Sequence, residues 1–213
     1  MKVWTEGLYL YTISSVPTKA TIPFRKKLPS VFTYTEARAR GLSAERLYAY
    51  RDQGIVEQIS RGLYRWADAP EIDQNLLEVA YRIPQGTLCL TTALARHGLT
   101  DNIPARIDVA IPRGNRVPTL ISPVDVRVFS KDTFELGRGE FKVGEGFAVG
   151  LYSPERSLVD MIRLRHREGS DIAWEALRRW LGRKGAKPAA LIEMAKSLHG
   201  AERAVRNALE IVL

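Results

Sequence analysis

The chain of 213 residues contains one cysteine, Cys89, and three histidines, His97, His166 and His199. A single cysteine excludes an internal disulfide and is typical of a protein kept in a reducing compartment. The histidines have no zinc-ligand spacing with one another or with Cys89, so we expect no metal ligand among them. The sequence also lacks an apolar run of about 18 residues and a signal-peptide cleavage pattern. We therefore expect a cytoplasmic protein with no membrane partner.

Motifs of the common enzyme classes are also missing. The chain has no standard glycine-rich phosphate loop and no serine or cysteine nucleophile motif. We therefore expect no cofactor, no catalytic residue and no enzymatic activity. One alternative remains open, because Asp108, Glu140 and Lys142 lie in segments with strand character. Two carboxylates and a lysine of this kind resemble the centre of a metal-dependent nuclease.

The charge of the chain is strongly positive and unevenly distributed. The formal net charge is +8. Residues 1–70 carry 11 Lys/Arg and 6 Asp/Glu, whereas residues 71–213 carry 21 and 18, so more than half of the excess lies in the first third. A concentrated basic region favours a polyanionic partner such as DNA.

Residues 33–66 predict a winged helix-turn-helix. A short helix is followed by a turn at Gly41, a second helix capped by Ser43, and a hairpin whose tip is Arg61-Gly62. We also expect a basic first helix over about residues 20–28, with Pro23 in its first turn. Three segments result: an N-terminal extension (1–17), a winged helix-turn-helix DNA-binding domain (18–69) and an α+β domain (70–213).

The second helix of this motif predicts which side chains face DNA. With Leu47 and Tyr50 turned inward, helical spacing places Glu45, Tyr48 and Asp52 outward and the arginines at the flanks. Arginines at flanks and wing contact phosphates, and tyrosine also contacts a thymine methyl. The predicted DNA-binding residues are Ser43, Arg46, Tyr48, Arg51, Arg61 and Arg65. Winged helices also serve as protein-interaction modules, and this alternative stays open.

The remainder of the chain predicts an α+β domain. Residues 106–111, 124–129 and 147–152 alternate apolar and polar residues and predict strands of a small, mostly antiparallel sheet. Residues 87–98 predict a helix. From Ser153 onward the apolar spacing is helical, and Ser153, Pro154 and Glu155 are typical of a helix start. This part predicts a C-terminal helical bundle.

The first of these late helices carries a polar stripe. Arg156, Asp160, Arg163 and Arg167 fall on one side of it, and the aspartate is spaced to pair with its neighbours. With Arg178 and Arg179 on the next helix, they predict a basic surface for a protein or nucleic acid. A solvated helix face whose aspartate orders the arginines is an equally good interpretation.

Three blocks, in this order, resemble the AbiEi-type antitoxins of type IV toxin–antitoxin and abortive-infection systems. They are VFTYTEARARGLSAERLYAYRDQGIVEQISRGLYRW, TTALARHGLTDNIPARIDVAIPRGNR and LYSPERSLVDMIRLRHREGSDIAWEALRRWL. The resemblance implies a winged helix that binds operator DNA and represses its own operon. We expect the operator to be an inverted repeat, which usually takes two copies of the protein, although the sequence indicates no dimer interface. The resemblance also implies a C-terminal domain, including residues 153–167, that neutralises a nucleotidyltransferase-like toxin. In this reading residues 43–53 are the recognition helix.

Overall fold

The computed structural model describes residues 22–212, which form eight α-helices and two β-sheets. The helices are α1 (Tyr34–Ala39), α2 (Ala44–Asp52), α3 (Gln74–Arg82), α4 (Leu90–Arg96), α5 (Pro154–Glu168), α6 (Ser170–Leu181), α7 (Pro188–Lys196) and α8 (Ala201–Val212). The strands are β1 (Val31–Thr33), β2 (Val56–Ser60), β3 (Leu63–Trp66), β4 (Thr87–Leu88), β5 (Ile107–Pro112), β6 (Val124–Phe129), β7 (Arg138–Gly144) and β8 (Phe147–Tyr152). The predicted extension, residues 1–17, lies outside the described part.

The winged helix forms where the sequence predicts it. Thr33 and Glu36 make a reciprocal capping box at the start of α1, with the Thr33 amide donating to the Glu36 carboxylate at 2.7 Å. Gly41 turns the chain with a φ of +86°, a conformation that side chains with a Cβ rarely adopt. Strands β1, β3 and β2 then form an antiparallel sheet in that spatial order.

The predicted basic first helix is wrong over its described part, because residues 23–27 form turns. The amide of Lys27 donates to the Phe24 carbonyl at 3.0 Å, and the amide of Leu28 donates to the same carbonyl at 3.1 Å. Phe24 and Leu28 are buried in the winged-helix core. Pro29, directly after this turn, disfavours a helical conformation at Leu28, so the segment stays short.

The sheet of the second half is mixed rather than mostly antiparallel. Its order is β6-β5-β4-β8-β7. The β5–β6 and β4–β8 pairs are parallel, whereas the β4–β5 and β7–β8 pairs are antiparallel. Residues 87–98, predicted as one helix, divide into the two-residue strand β4 and the helix α4. The α+β class itself is confirmed.

Helices α4 to α8 form the predicted C-terminal bundle, and α5 is its centre. This helix contacts α4, α6, α7 and α8, and its apolar residues join one continuous core with theirs. None of the helices in residues 22–212 is long and apolar enough to cross a membrane.

The two halves of the chain share a small core. Val31 and Leu63 of the winged helix pack against Leu77 of α3, with Val143 and Phe147 of the second sheet beside them. A buried carboxylate, Glu78, reinforces this joint by accepting a hydrogen bond from Ser60 of the wing at 2.9 Å. The boundary at residues 69 and 70 stays a prediction, since packing continues across it.

Candidate nucleic-acid interface

The orientation of α2, the second helix of the winged helix, is fixed by its N-cap and by a side chain buried in the core. The hydroxyl oxygen of Ser43 accepts a hydrogen bond from the Arg46 amide at 3.2 Å, which fixes the first turn. Leu47 is fully buried and Tyr50 half-buried. Tyr48, predicted to face outward, and Arg46, predicted at the flank, are both exposed.

A basic patch surrounds the start of α2. The guanidinium of Arg46 lies 5.9 Å from the centroid of the Phe24 ring, and the ammonium of Lys27 lies 5.6 Å from it. Both side chains are exposed, so Phe24 places two cations side by side. The sequence prediction did not include Lys27, although the run Arg25-Lys26-Lys27 was a visible signal for it.

Arg51, near the end of α2, is exposed but held by its neighbours. Its guanidinium donates to the carboxylate of Asp52 at 2.8 Å and lies 5.1 Å from the Tyr48 ring centroid. An exposed ion pair of this type contributes little free energy, so a phosphate can replace the carboxylate. Arg51 therefore stays in the predicted set, preoriented beside Tyr48.

The wing tip exposes Arg61. Gly62, which follows it, has a φ of +84°, and a Cβ there would lie 3.0 Å from the Tyr81 hydroxyl. The tight hairpin therefore fixes where Arg61 projects. Within residues 22–212 no carboxylate pairs with Arg61, so its whole charge is available to an external anion.

Arg65 does not belong to this surface. It is buried, and its guanidinium donates to the Glu57 carboxylate at 2.7 Å and to the Ala69 carbonyl at 2.6 Å. A third hydrogen bond reaches the Pro70 carbonyl at 3.2 Å. Arg65 thus ties the wing to the segment that follows it and has little capacity left for DNA.

The structure does not bring together the three residues of the nuclease alternative. Asp108 lies on β5, whereas Glu140 and Lys142 lie on β7, and strands β4 and β8 separate the two. Three strand spacings of about 4.8 Å place them roughly 14 Å apart. Burial raises the pKa of Asp108, while the guanidinium of Arg127, 3.0 Å away, opposes that rise. In the described part of the chain no group of three His, Cys, Asp or Glu side chains is placed to hold a metal ion.

The predicted basic stripe on α5 is only partly exposed. The prediction of a surface is wrong for its first half, Arg156 and Asp160. Arg156 and Asp160 are fully buried, joined at 2.7 Å, and Asp160 also accepts from Arg163 at 2.8 Å. Arg156 donates further to the carbonyls of Thr133 and Leu136, at 2.7 and 2.9 Å. The stripe is buried because other elements pack over the start of α5, which the spacing within one helix does not reveal.

The remaining members of the stripe reach the surface. Arg167 and Arg178 are exposed, and Arg163 is half-buried. Arg179 is paired, donating to Asp101 at 2.8 Å and approaching Glu175 at 2.8 Å. The hydrogen bonds from Arg179 lower the pKa of Asp101. A partner therefore meets Arg167 and Arg178 as unpaired cations, and Arg163 through the two terminal nitrogens that its bond to Asp160 leaves free.

Comparison with known proteins agrees with this arrangement. A family model described as "Transcriptional regulator, AbiEi antitoxin" matches residues 22–67, the winged helix. No curated protein matches the chain. The crystal structure of the RV2827C protein from Mycobacterium tuberculosis is similar over 85% of this chain and 76% of that one, with 18% identity and a TM-score of 0.52, a likeness of fold. Residues 22–67, the winged helix, are thus similar to the AbiEi antitoxin transcriptional regulators.

Proposed function

We propose that this chain is the antitoxin of a bacterial toxin–antitoxin system, that it neutralises a nucleotidyltransferase-like toxin, and that it represses its own operon. The observation that carries the proposal is the family match on a winged helix whose outer side chains are available cations. In this function the protein acts in the cytoplasm by binding and catalyses no reaction.

The DNA contacts are of two kinds, contacts to phosphates, which provide affinity, and contacts to bases, which provide sequence specificity. Arg46, Arg51 and Arg61 contact phosphates, while Tyr48, which is 41% exposed, has the reach for a thymine methyl. Glu45 and Asp52 are also exposed and repel the DNA backbone. The operator is an inverted repeat that takes two copies of the chain, one on each half-site.

Arg61→Ala is expected to weaken operator binding and random-DNA binding equally, because a phosphate contact carries no sequence information. The log–log slope of affinity against salt should fall by about 1 unit. Gel shifts at several salt concentrations measure both effects. Lys142→Ala, which removes an exposed cation from the second sheet, should leave the slope unchanged. A salt-independent affinity of the parent protein contradicts the DNA role and leaves the protein-interaction module as the alternative.

Neutralisation should depend on the exposed cations of α5 and α6. We expect Arg167→Glu combined with Arg178→Glu to lose protection in cells that also express the toxin, while operator binding stays intact. The toxin to use is the nucleotidyltransferase-like protein encoded beside this chain's gene. Lys184→Glu combined with Lys142→Glu is the charge-matched control, expected to protect fully. Equal loss of protection in both double variants would show a nonspecific effect of charge. It would contradict the assignment of this surface to toxin neutralisation.

A further inference from the structure

A cleft in the second half of the chain is lined by an unusual number of arginines. It lies between the edge strand β6, the helix α5 and the loop that joins α7 to α8, and its volume is about 480 Å³. The basic side chains that line it are Arg113, Arg127, Arg156, Arg163, Arg167 and His199, and one carboxylate, Glu168, lines it as well. No part of the proposed repressor or antitoxin function requires this cleft.

Two of the arginines are neutralised and fixed. Arg127 donates to Asp108 at 3.0 Å and to Glu168 at 3.0 and 2.9 Å. Arg156 is buried against Asp160 and stacks on Tyr152, with its guanidinium 4.5 Å from the ring centroid. These groups form a rigid floor, held in place before any ligand arrives.

The other three arginines keep free donors. Arg113 and Arg167 are exposed, and within residues 22–212 neither side chain makes an ion pair or donates a hydrogen bond. Arg163 donates to Asp160 through Nε, while its two terminal nitrogens remain available at the cleft. The five guanidiniums face four carboxylates, those of Asp108, Asp125, Asp160 and Glu168, and Asp125 also pairs with Arg106, so positive charge remains uncompensated.

The backbone at the cleft wall gives an independent observation. Leu90 lines the cleft and has a φ of +45°, and among the described residues it is the one non-glycine residue with a positive φ. Such a conformation costs on the order of 1–3 kcal/mol and persists where the surroundings enforce it, often at ligand sites. The side chain of Leu90 is fully buried, which supplies that enforcement.

We propose that this cleft binds the phosphate groups of a nucleotide, either free or at the end of a nucleic-acid strand. Guanidinium forks match phosphate oxygens in geometry and charge, which favours arginine for this task. Leu164, which is half-buried, lines the cleft as well and supplies apolar surface for a base. The volume lies in the range of small-ligand sites, about 300–1,000 Å³.

Calorimetric titration of the full-length chain with ATP, tripolyphosphate, a 5′-phosphorylated single strand and the same strand without its phosphate tests the proposal. We expect binding of ATP or of the phosphorylated strand, and the stronger of the two identifies the source of the ligand. Arg113→Gln combined with Arg167→Gln should weaken that binding at least tenfold. Both residues are exposed, so the fold should be unchanged, which the thermal midpoint verifies.

The matched control removes the same charge elsewhere, through Lys142→Gln combined with Lys184→Gln, and should bind like the parent protein. Equal weakening in the two double variants would show attraction by net charge and overturn the proposal. So would binding of a glutamate-rich peptide in place of every phosphate ligand, or no binding at all. Operator binding is measured separately and involves neither Arg113 nor Arg167. Because Arg167 also belongs to the proposed antitoxin surface, Arg113→Gln alone separates failure of the cleft from failure of neutralisation, and it should weaken ligand binding while protection against the toxin is kept.

Discussion

Replacing Asp160 with alanine is expected to lower the free energy of unfolding by about 3–5 kcal/mol, because it leaves a buried arginine without its counter-charge. Asp160 is completely buried and accepts hydrogen bonds from Arg156 and Arg163. Arg156 is equally buried, and its remaining hydrogen bonds go to two carbonyls that carry no full charge. Water cannot replace the lost carboxylate without opening the core around α5.

The expected change is large enough to measure in two ways. Thermal unfolding should shift the midpoint down by on the order of 10 °C for a chain of this size. Denaturant unfolding should lower the midpoint concentration without a change in slope, provided that the native state stays compact. Glu202→Ala is the comparison, because it removes an exposed pair with Arg206 of the same i,i+4 spacing. That change should cost less than about 1 kcal/mol.

This result also bears on the antitoxin surface. An Asp160 variant that fails to neutralise the toxin would fail because the bundle is destabilised, since no atom of Asp160 reaches solvent. If Asp160→Ala instead left stability unchanged, the buried ion cluster would be contradicted. Variants of Arg167 and Arg178 are therefore the ones that report on contact with a partner.

The winged helix was predictable because its signals are local. Thr33 and Ser43 each cap the helix that begins at the next residue, and Gly41 supplies the turn between the two helices. The wing tip at Arg61-Gly62 is set by adjacent residues as well. Local chemistry of this kind leaves little for distant parts of the chain to override.

The second half was predicted less well because distant partners decide it. Strand β4 has two residues, and it is a strand because β5 and β8 flank it, which no local pattern reveals. The i,i+4 spacing of Arg156 and Asp160 correctly predicted that they pair. It could not show that the pair is buried, because burial depends on the helices and loops packed over α5.

Arg65 shows the same limit at the scale of one side chain. Arg65 follows the wing tip closely in sequence, which predicted a DNA contact for it. In the structure it lies opposite Glu57 in the β2–β3 ladder and reaches the carbonyls of residues 69 and 70. Sequence spacing gives the register of a hairpin, whereas the path of the following segment determines which partner Arg65 finds.

Glu78→Ala is the second change with a large expected effect, because this carboxylate joins the wing to the second half. Glu78 is 1% exposed and accepts hydrogen bonds from the hydroxyls of Ser60 and Ser122, at 2.9 and 2.5 Å. The amides of Ile121 and Ser122 donate to it as well, at 3.1 and 2.7 Å. Leaving these donors without an acceptor should cost about 3 kcal/mol.

The same carboxylate should make stability depend on pH in acid. Burial acts to raise the pKa of Glu78, but hydrogen bonds from Ser122, Ile121 and Ser60 overcome it and lower the pKa below its ordinary value of 4.5. A carboxylate with a depressed pKa contributes stability that is fully present above the ordinary value and is lost as pH falls through the folded pKa. Unfolding measured from pH 6 down to about pH 3 should show this loss.

Glu78→Gln separates the charge from the shape. It should remove this part of the pH dependence below pH 4.5 while keeping the side chain's volume. Because Ser60 directly precedes Arg61 at the wing tip, both Glu78 variants should also weaken operator binding, although Glu78 is buried away from DNA. Glu71→Gln, at an exposed carboxylate seven residues earlier, should change neither property. If Glu78→Gln kept the parent's acid profile and operator affinity, the carboxylate would not be the link between wing and second half.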